Sequence, residues 1–180
     1  MSSPTTFYIS VNLSARQLSE PTLVADISRA LADSGLPPHA LVLEITESTL
    51  MLDEDAGIAR LHSLKGLGLR LAIDDYGTGY SSLKRLSTLP VDIVKIDKAF
   101  IDRLTLDNDG VALVQSVIDV TRALGLTSIA EGVELASQRA ALDAMGCDSI
   151  QGYLFARPTP AADATKTLLA LRPTSCSDPE

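Results

Sequence analysis

Short β-branched or aliphatic runs alternate with longer stretches of helical period along the chain. The first run is Phe7 to Leu13, and a helical pattern follows at about Ser19 to Ser34, where Leu23, Ile27, Ala30 and Leu31 recur on one face. Gly35 and the Pro37-Pro38 pair stop it. Leu41 to Ile45 is the second run, and Asp53 reads as the N-cap of a helix carrying Ile58, Leu61 and Leu64. Leu69 to Ile73 and Val91 to Ile96 are the third and fourth runs, with only a short helical piece near Ser81 to Leu86 between them. A helix over about Val111 to Leu124 precedes a fifth run, Thr127 to Ala130. Another helix, near Leu135 to Met145, leads to Ser149–Tyr153, and Ala161 to Leu171 predicts one more. Residues 1–172 are expected to form one domain, with 173–180 as a disordered tail.

This alternation predicts an α/β fold with a parallel sheet and crossover helices. An open doubly wound sheet and a closed (β/α) barrel both satisfy it. The strand ends decide between them. Asn12, Glu44, Asp74 with Asp75, Lys95 with Asp97, Glu131 and Gln151 stand at or near the C-terminal ends of six successive strands. An open sheet uses only the strands beside its switch point for a ligand site, whereas every strand of a barrel opens on one mouth. The prediction is therefore a TIM-type barrel. Six strand-helix units are present, against eight in a closed barrel of about 250 residues, so the barrel is expected to be incomplete.

Composition narrows the function. The 180 residues carry 15 Lys and Arg against 23 Asp and Glu, a net charge of −8. That balance argues against nucleic-acid binding, which requires a basic face. With 46% hydrophobic and 21% charged residues the chain is globular, not disordered. Its apolar runs fall short of the roughly 18 residues of a membrane helix, and MSSPTTFYIS is not a secretory signal. Only two cysteines occur, Cys147 and Cys176, which fits a reducing, cytoplasmic setting.

Asn12, Glu44, Asp74, Asp75 and Glu131 offer oxygen donors without thiolate or imidazole, the set that suits magnesium or manganese. Each acid alone also reads as a helix cap or a surface charge, but capping does not explain acids on so many strands. Two ions about 4 Å apart in such a mouth would activate a phosphodiester for in-line attack. Lys95 would then hold the water or steady phosphoryl charge. Adjacent residues of a strand point to opposite faces, so Asp74 and Asp75 can act together only if the geometry relaxes at the strand end. The glycine-rich stretch Tyr76 to Ser82 is not a Walker loop, because no Lys follows its second glycine.

Six strings closely resemble the EAL domain, a bacterial family of cyclic di-GMP phosphodiesterases: Val11-Asn12-Leu13-Ser14, Leu43-Glu44-Ile45-Thr46-Glu47, Asp74-Asp75-Tyr76-Gly77-Thr78-Gly79-Tyr80-Ser81-Ser82-Leu83, Val94-Lys95-Ile96-Asp97, Glu131-Gly132-Val133-Glu134 and Gln151-Gly152-Tyr153. The resemblance runs from about Tyr8 to Pro160 and keeps the order of all six. It implies metal-dependent hydrolysis of cyclic di-GMP to linear pGpG, with Asn12, Glu44, Asp74, Asp75 and Glu131 as metal ligands. It also implies that Lys95 orients or activates the attacking water, that Asp97 and Gln151 bind substrate, and that Glu47 anchors the loop after the aspartate pair. That loop, 76–82, implies a homodimer contact, and sensor or cyclase domains are usual company for the family. Tyr76 replaces the more usual phenylalanine.

The Glu-Ala-Leu stretch and following arginine, which in the family bind a metal and the substrate phosphate, do not occur in this sequence. The family places them upstream of the Asn12 motif, with the first two barrel strands. This chain is thus expected to be weak or inactive by itself. A non-catalytic remnant that binds nucleotide or protein is the main alternative, and an enolase-type carboxylate barrel is a more distant one.

Overall fold

A computed structural model of the chain describes residues 7–46, 49, 54–77, 86–104 and 108–170. Its six strands are β1 (Ile9–Asn12), β2 (Leu41–Thr46), β3 (Arg70–Tyr76), β4 (Ile93–Ile96), β5 (Thr127–Ala130) and β6 (Ser149–Ile150). They pair in chain order, β1-β2-β3-β4-β5-β6, and every pairing is parallel. The helices are α1 (Ala15–Ser19), α2 (Leu23–Ser34), α3 (Glu54–Lys65), α4 (Lys98–Arg103), α5 (Asn108–Ala123), α6 (Ala136–Met145) and α7 (Ala161–Ala170). The arrangement is an incomplete TIM-type (β/α) barrel in which β1 and β6 are the two edges.

Two parts of the helical pattern differ from the expectation. The helix expected over 19–34 starts later, at Leu23, as α2, and a separate short helix, α1, precedes it; Pro21 has no N–H to continue α1 and divides the two. Helix α4 has no counterpart in the hydrophobic pattern: six residues are too few to display a 3.6-residue period. The Asp53 cap, most of the 81–86 piece and the 173–180 tail lie outside the described residues.

Each central strand has two distinct faces. Outward-pointing Leu43, Ile45, Leu71, Ile73 and Val94 pack with Leu61 and Leu64 of α3 into the main core, all below 5% exposed. Inward-pointing Val42, Ala72, Ile93 and Ile129 form a second, small apolar cluster. Two residues further along each of these strands, on the same face, come Glu44, Asp74, Lys95 and Glu131. The apolar layer is thus a dry floor under a charged layer. Period-two alternation alone generates this stacking once the strands are parallel and in register.

Aspartates secure the opposite rim. Asp92, just before β4, accepts from the backbone N–H of Leu71 at 2.8 Å and from Lys65 Nζ at 2.7 Å. Asp148, just before β6, accepts from the N–H and hydroxyl of Ser128 at 2.8 and 2.7 Å. Each carboxylate satisfies donors at the second residue of the adjacent strand and so fixes its register.

Two glycines predict opposite responses to an added methyl. A Cβ on Gly57, within α3, would meet nothing within 4 Å. Gly57→Ala should therefore stabilise the fold by about 0.5–1 kcal/mol through helix propensity. A Cβ on Gly152 would lie 2.1 Å from the Val133 carbonyl oxygen and 2.3 Å from its nitrogen. Gly152→Ala should cost several times that amount, because backbone cannot yield as a flexible side chain does. Urea denaturation of the two variants side by side checks both signs.

Candidate functional site

Lys95 is the centre of the charged layer. It is 3% exposed, and its Nζ donates to Glu44 Oε2 at 2.6 Å. It also lies 3.0 Å from Asp74 Oδ1 and 2.7 Å from Glu131 Oε1. One ammonium from β4 thus faces one carboxylate from each of β2, β3 and the end of β5. Burial opposes the charged form of Lys95, but hydrogen bonds to Glu131 and Glu44, together with Asp74, outweigh it and hold the ammonium well above its ordinary 10.5.

The Asp74-Asp75 pair resolves the strand-parity problem through the backbone. The β3–β4 register slips between Ile73 and Tyr76, and Asp75 adopts φ +56°. A bulge with a left-handed residue turns the second aspartate out of strict alternation, and aspartate is among the residues that tolerate this region best. Asp74, Asp75 and Glu131 then present carboxylate oxygens all within 4.8 Å of one another.

Asp97 joins this group from the other side. It is the N-cap of α4, accepting from the Ala99 N–H at 2.8 Å, and it lies close enough to Asp75 to act on that carboxyl. Its capping role had a sequence signal, an aspartate directly before a helix start, that periodicity alone does not use.

Five carboxylates, those of Glu44, Asp74, Asp75, Asp97 and Glu131, therefore gather around one ammonium. The deficit of positive charge acts on two of these carboxyls. Burial, then the neighbouring Asp74 and Asp97, raise the Asp75 carboxyl above its ordinary 3.8. Burial also raises Glu131 above 4.5; Lys95 opposes this, while Asp74 adds to it. Hard oxygen donors short of cationic partners fit a divalent ion such as magnesium or manganese.

The pH dependence follows from these directions. A carboxyl raised in the folded state contributes stability that is present below its unfolded pKa and lost as pH rises through its folded value. The metal-free protein should lose this contribution on passing upward from about pH 4. A divalent ion favours the ionised carboxylates, so the increase in Tm produced by manganese should grow over that same rise in pH. Melting curves at several pH values, with and without manganese, read both trends.

The other expected site residues are placed as follows. Asn12 ends β1 directly beside Glu44 in the register, and it is exposed. Gln151 follows β6; its N–H donates to the Ala130 carbonyl at 2.8 Å and its own carbonyl accepts from Val133 at 3.0 Å. It lines a groove of about 630 Å3 with Tyr8, Tyr153, Phe155 and Arg157. The Arg157 guanidinium lies over the Tyr153 ring at 4.6 Å. This aromatic and cationic wall did not emerge from the strand-end reading, because its residues follow the last strand instead of ending one. Glu47 and most of the 76–82 loop lie outside the described residues.

No helix among the described residues is long and apolar enough to cross a membrane.

Comparison with known proteins agrees with this geometry. The family model described as "EAL domain" matches residues 1–158. The chain is 46% identical over 153 residues to the bifunctional diguanylate cyclase/cyclic di-GMP phosphodiesterase MucR of Pseudomonas aeruginosa, covering 85% of this chain and 22% of MucR. It therefore spans about a fifth of the length of that curated relative. A solved structure of MucR, "PaMucR Phosphodiesterase, c-di-GMP complex", superposes with a TM-score of 0.82 at 44% identity, over 87% of this chain and 64% of that one. The manganese/cy-diGMP complex of Klebsiella pneumoniae BlrP1 gives a TM-score of 0.80 at 32% identity, over 86% of this chain and 40% of that one. Six parallel strands with polar or charged ends, the ordered motifs and the family match lead to one conclusion: this chain belongs to the EAL domain family.

Proposed function

We propose that this chain carries most of the site of a cyclic di-GMP phosphodiesterase, which cuts the cyclic dinucleotide to linear pGpG. The observation that carries the reading is the Lys95 ammonium within 3.0 Å of Glu44, Asp74 and Glu131, with Asp75 completing a carboxylate group on an EAL frame. Asn12, Glu44, Asp74, Asp75 and Glu131 would hold magnesium or manganese. When bound, the ions would polarise the phosphodiester and lower the pKa of the attacking water.

The remaining work falls to the chain's own groups. Lys95 donates hydrogen bonds that hold the water in line and steady charge on the phosphoryl oxygens. Its high proton affinity suits a donor rather than a base, so proton removal falls to the carboxylates around it. Asp97 borders the substrate and orients Asp75. Gln151, set in the groove with Tyr153 and Arg157, contacts the dinucleotide away from the scissile bond. The 630 Å3 of that groove suits one end of such a ligand. Glu47 anchors the loop after the aspartates, and the 76–82 loop contributes to a homodimer. Residues 1–172 form the incomplete EAL domain, residues 173–180 a tail, and the protein works in the cytoplasm beside sensor or cyclase domains.

A second reading has its own support. Among the described residues the sheet has six strands, with β1 and β6 as its edges. On that reading the chain binds nucleotide or protein without turnover. One assay separates the two. The chain preceded by a segment supplying two strand-helix units and Glu-Ala-Leu-x-Arg should convert cyclic di-GMP to pGpG with manganese, and the 180-residue chain alone should be slow or silent. Absence of pGpG from the extended chain under every divalent ion favours the second reading.

A further inference from the structure

Two of the carboxylate-bearing strand ends turn on glycines in the left-handed region, and both glycines face the same short helix. Gly77, two residues after Asp75, has φ +100°; a Cβ there would lie 2.9 Å from Cε2 and Cζ of Phe100. Gly132, directly after Glu131, has φ +67°; a Cβ there would lie 2.5 Å from Cγ of Lys98. Phe100 and Lys98 both belong to α4, whose cap Asp97 already contacts Asp75. The first turn of α4 therefore fills the space between the β3 corner and the β5 corner, and each corner has shed its side chain to admit it.

The far side of α4 is anchored. Ile101 is fully buried in a core cluster with Val114 and Ile118 of α5. Gln138 of α6, 2% exposed, donates to the Ile101 carbonyl at 3.3 Å. The Gln138 side-chain oxygen accepts from the N–H groups of Glu134 and Leu135 at 2.9 and 3.0 Å, in the loop that follows Glu131. Lys98 Nζ reaches Glu134 Oε1 at 3.1 Å and Asp102 Oδ1 at 2.9 Å. That ammonium is 45% exposed, so its ion pairs contribute little energy. Nζ also reaches the Gly132 carbonyl, but at 3.5 Å, the long limit of a hydrogen bond, so the aliphatic stem against Gly132 is the part that sets position.

We infer that the first turn of α4 is a wedge: Phe100 seated on Gly77 and the Lys98 stem seated on Gly132 fix the separation of Asp75 from Glu131. Lys98 and Phe100 are then positioning residues for the metal-binding carboxylates. The link to metal rests on the proposed function; the mechanical coupling of the two corners does not.

Wedge and ordinary local packing differ in reach. A wedge transmits a loss on one side to the corner on the other. Amide hydrogen exchange of the metal-free chain reads this directly. Lys98→Ala should speed exchange at residues 75–77, beyond α4, as well as at 131–133. Phe100→Leu should do the reverse, loosening 131–133 along with 75–77. Lys98→Met keeps the stem without the charge and should restore the native pattern. In manganese titration, Lys98→Ala and Phe100→Leu should each weaken binding by about 10-fold, as positioning groups behind metal ligands do, while Lys98→Met stays within about twofold. Exchange that rises only at the corner touching the substituted residue overturns the wedge. So does a Lys98→Met protein as loosened as Lys98→Ala. Wild-type protein that takes up no manganese counts against the proposed function, and the exchange pattern still decides the wedge.

Discussion

Lys95→Met should cost about 3–5 kcal/mol of folding stability at neutral pH, the usual result of removing one partner from a buried ionic group. The methionine matches the stem in size and leaves no large cavity. What it leaves is Glu44, Asp74 and Glu131 facing one another without the cation that lies within 3.0 Å of all three. Two treatments should restore stability. Acidification protonates the carboxylates, and a divalent ion replaces the missing positive charge. Urea unfolding at neutral and mildly acidic pH, each with and without manganese, reads all of this. A loss below about 1 kcal/mol would mean that the ammonium does not hold the carboxylates together. Turnover in the extended chain should fall with the same substitution by about 100-fold or more, since methionine cannot donate to water.

Asp74→Asn should have the opposite profile. The amide oxygen can still accept from Lys95, and the change removes one negative charge from a group with too many. Metal-free stability should hold or rise slightly. Turnover of cyclic di-GMP by the extended chain should fall by at least about 100-fold, beyond what losing an outer partner of a metal ligand costs. Stability and activity are thus predicted to separate: Lys95 carries both, and Asp74 carries activity alone. An Asp74→Asn protein with wild-type turnover would remove Asp74 from the chemistry.

Much of this site is legible in the sequence alone. Period-two patterning places Glu44 above Val42, Asp74 above Ala72, Lys95 above Ile93 and Glu131 above Ile129. A charged residue inside an otherwise apolar parallel strand has few destinations other than a shared mouth. The direction of Asp75 was not legible. It depends on a bulge and on φ +56°, and alternation alone predicts the wrong face for one of two adjacent aspartates. Helix α4 was missed because Phe100 and Ile101 are too few apolar positions to show a period. Its one local signal is the Asp97 cap. The groove wall of Tyr153, Phe155 and Arg157 has no signal in the pattern for a different reason, since it shares a groove with Tyr8 only through the curl of the whole open sheet. No local pattern encodes a contact between the first strand's entry and the last strand's exit.

The two unclosed edges bear on how the chain behaves in solution. Phe7, Tyr8, Ile9 and Val11, at and around β1, are 41–55% exposed. An edge strand with such a face invites pairing with another chain.

The most direct test of the central claim is a calorimetric titration of manganese into the chain at neutral pH. Saturable binding that EDTA reverses, and that weakens as pH falls toward 4, is the predicted result, because protons and metal compete for Asp75 and Glu131. No binding, or binding indifferent to pH across that range, would contradict it.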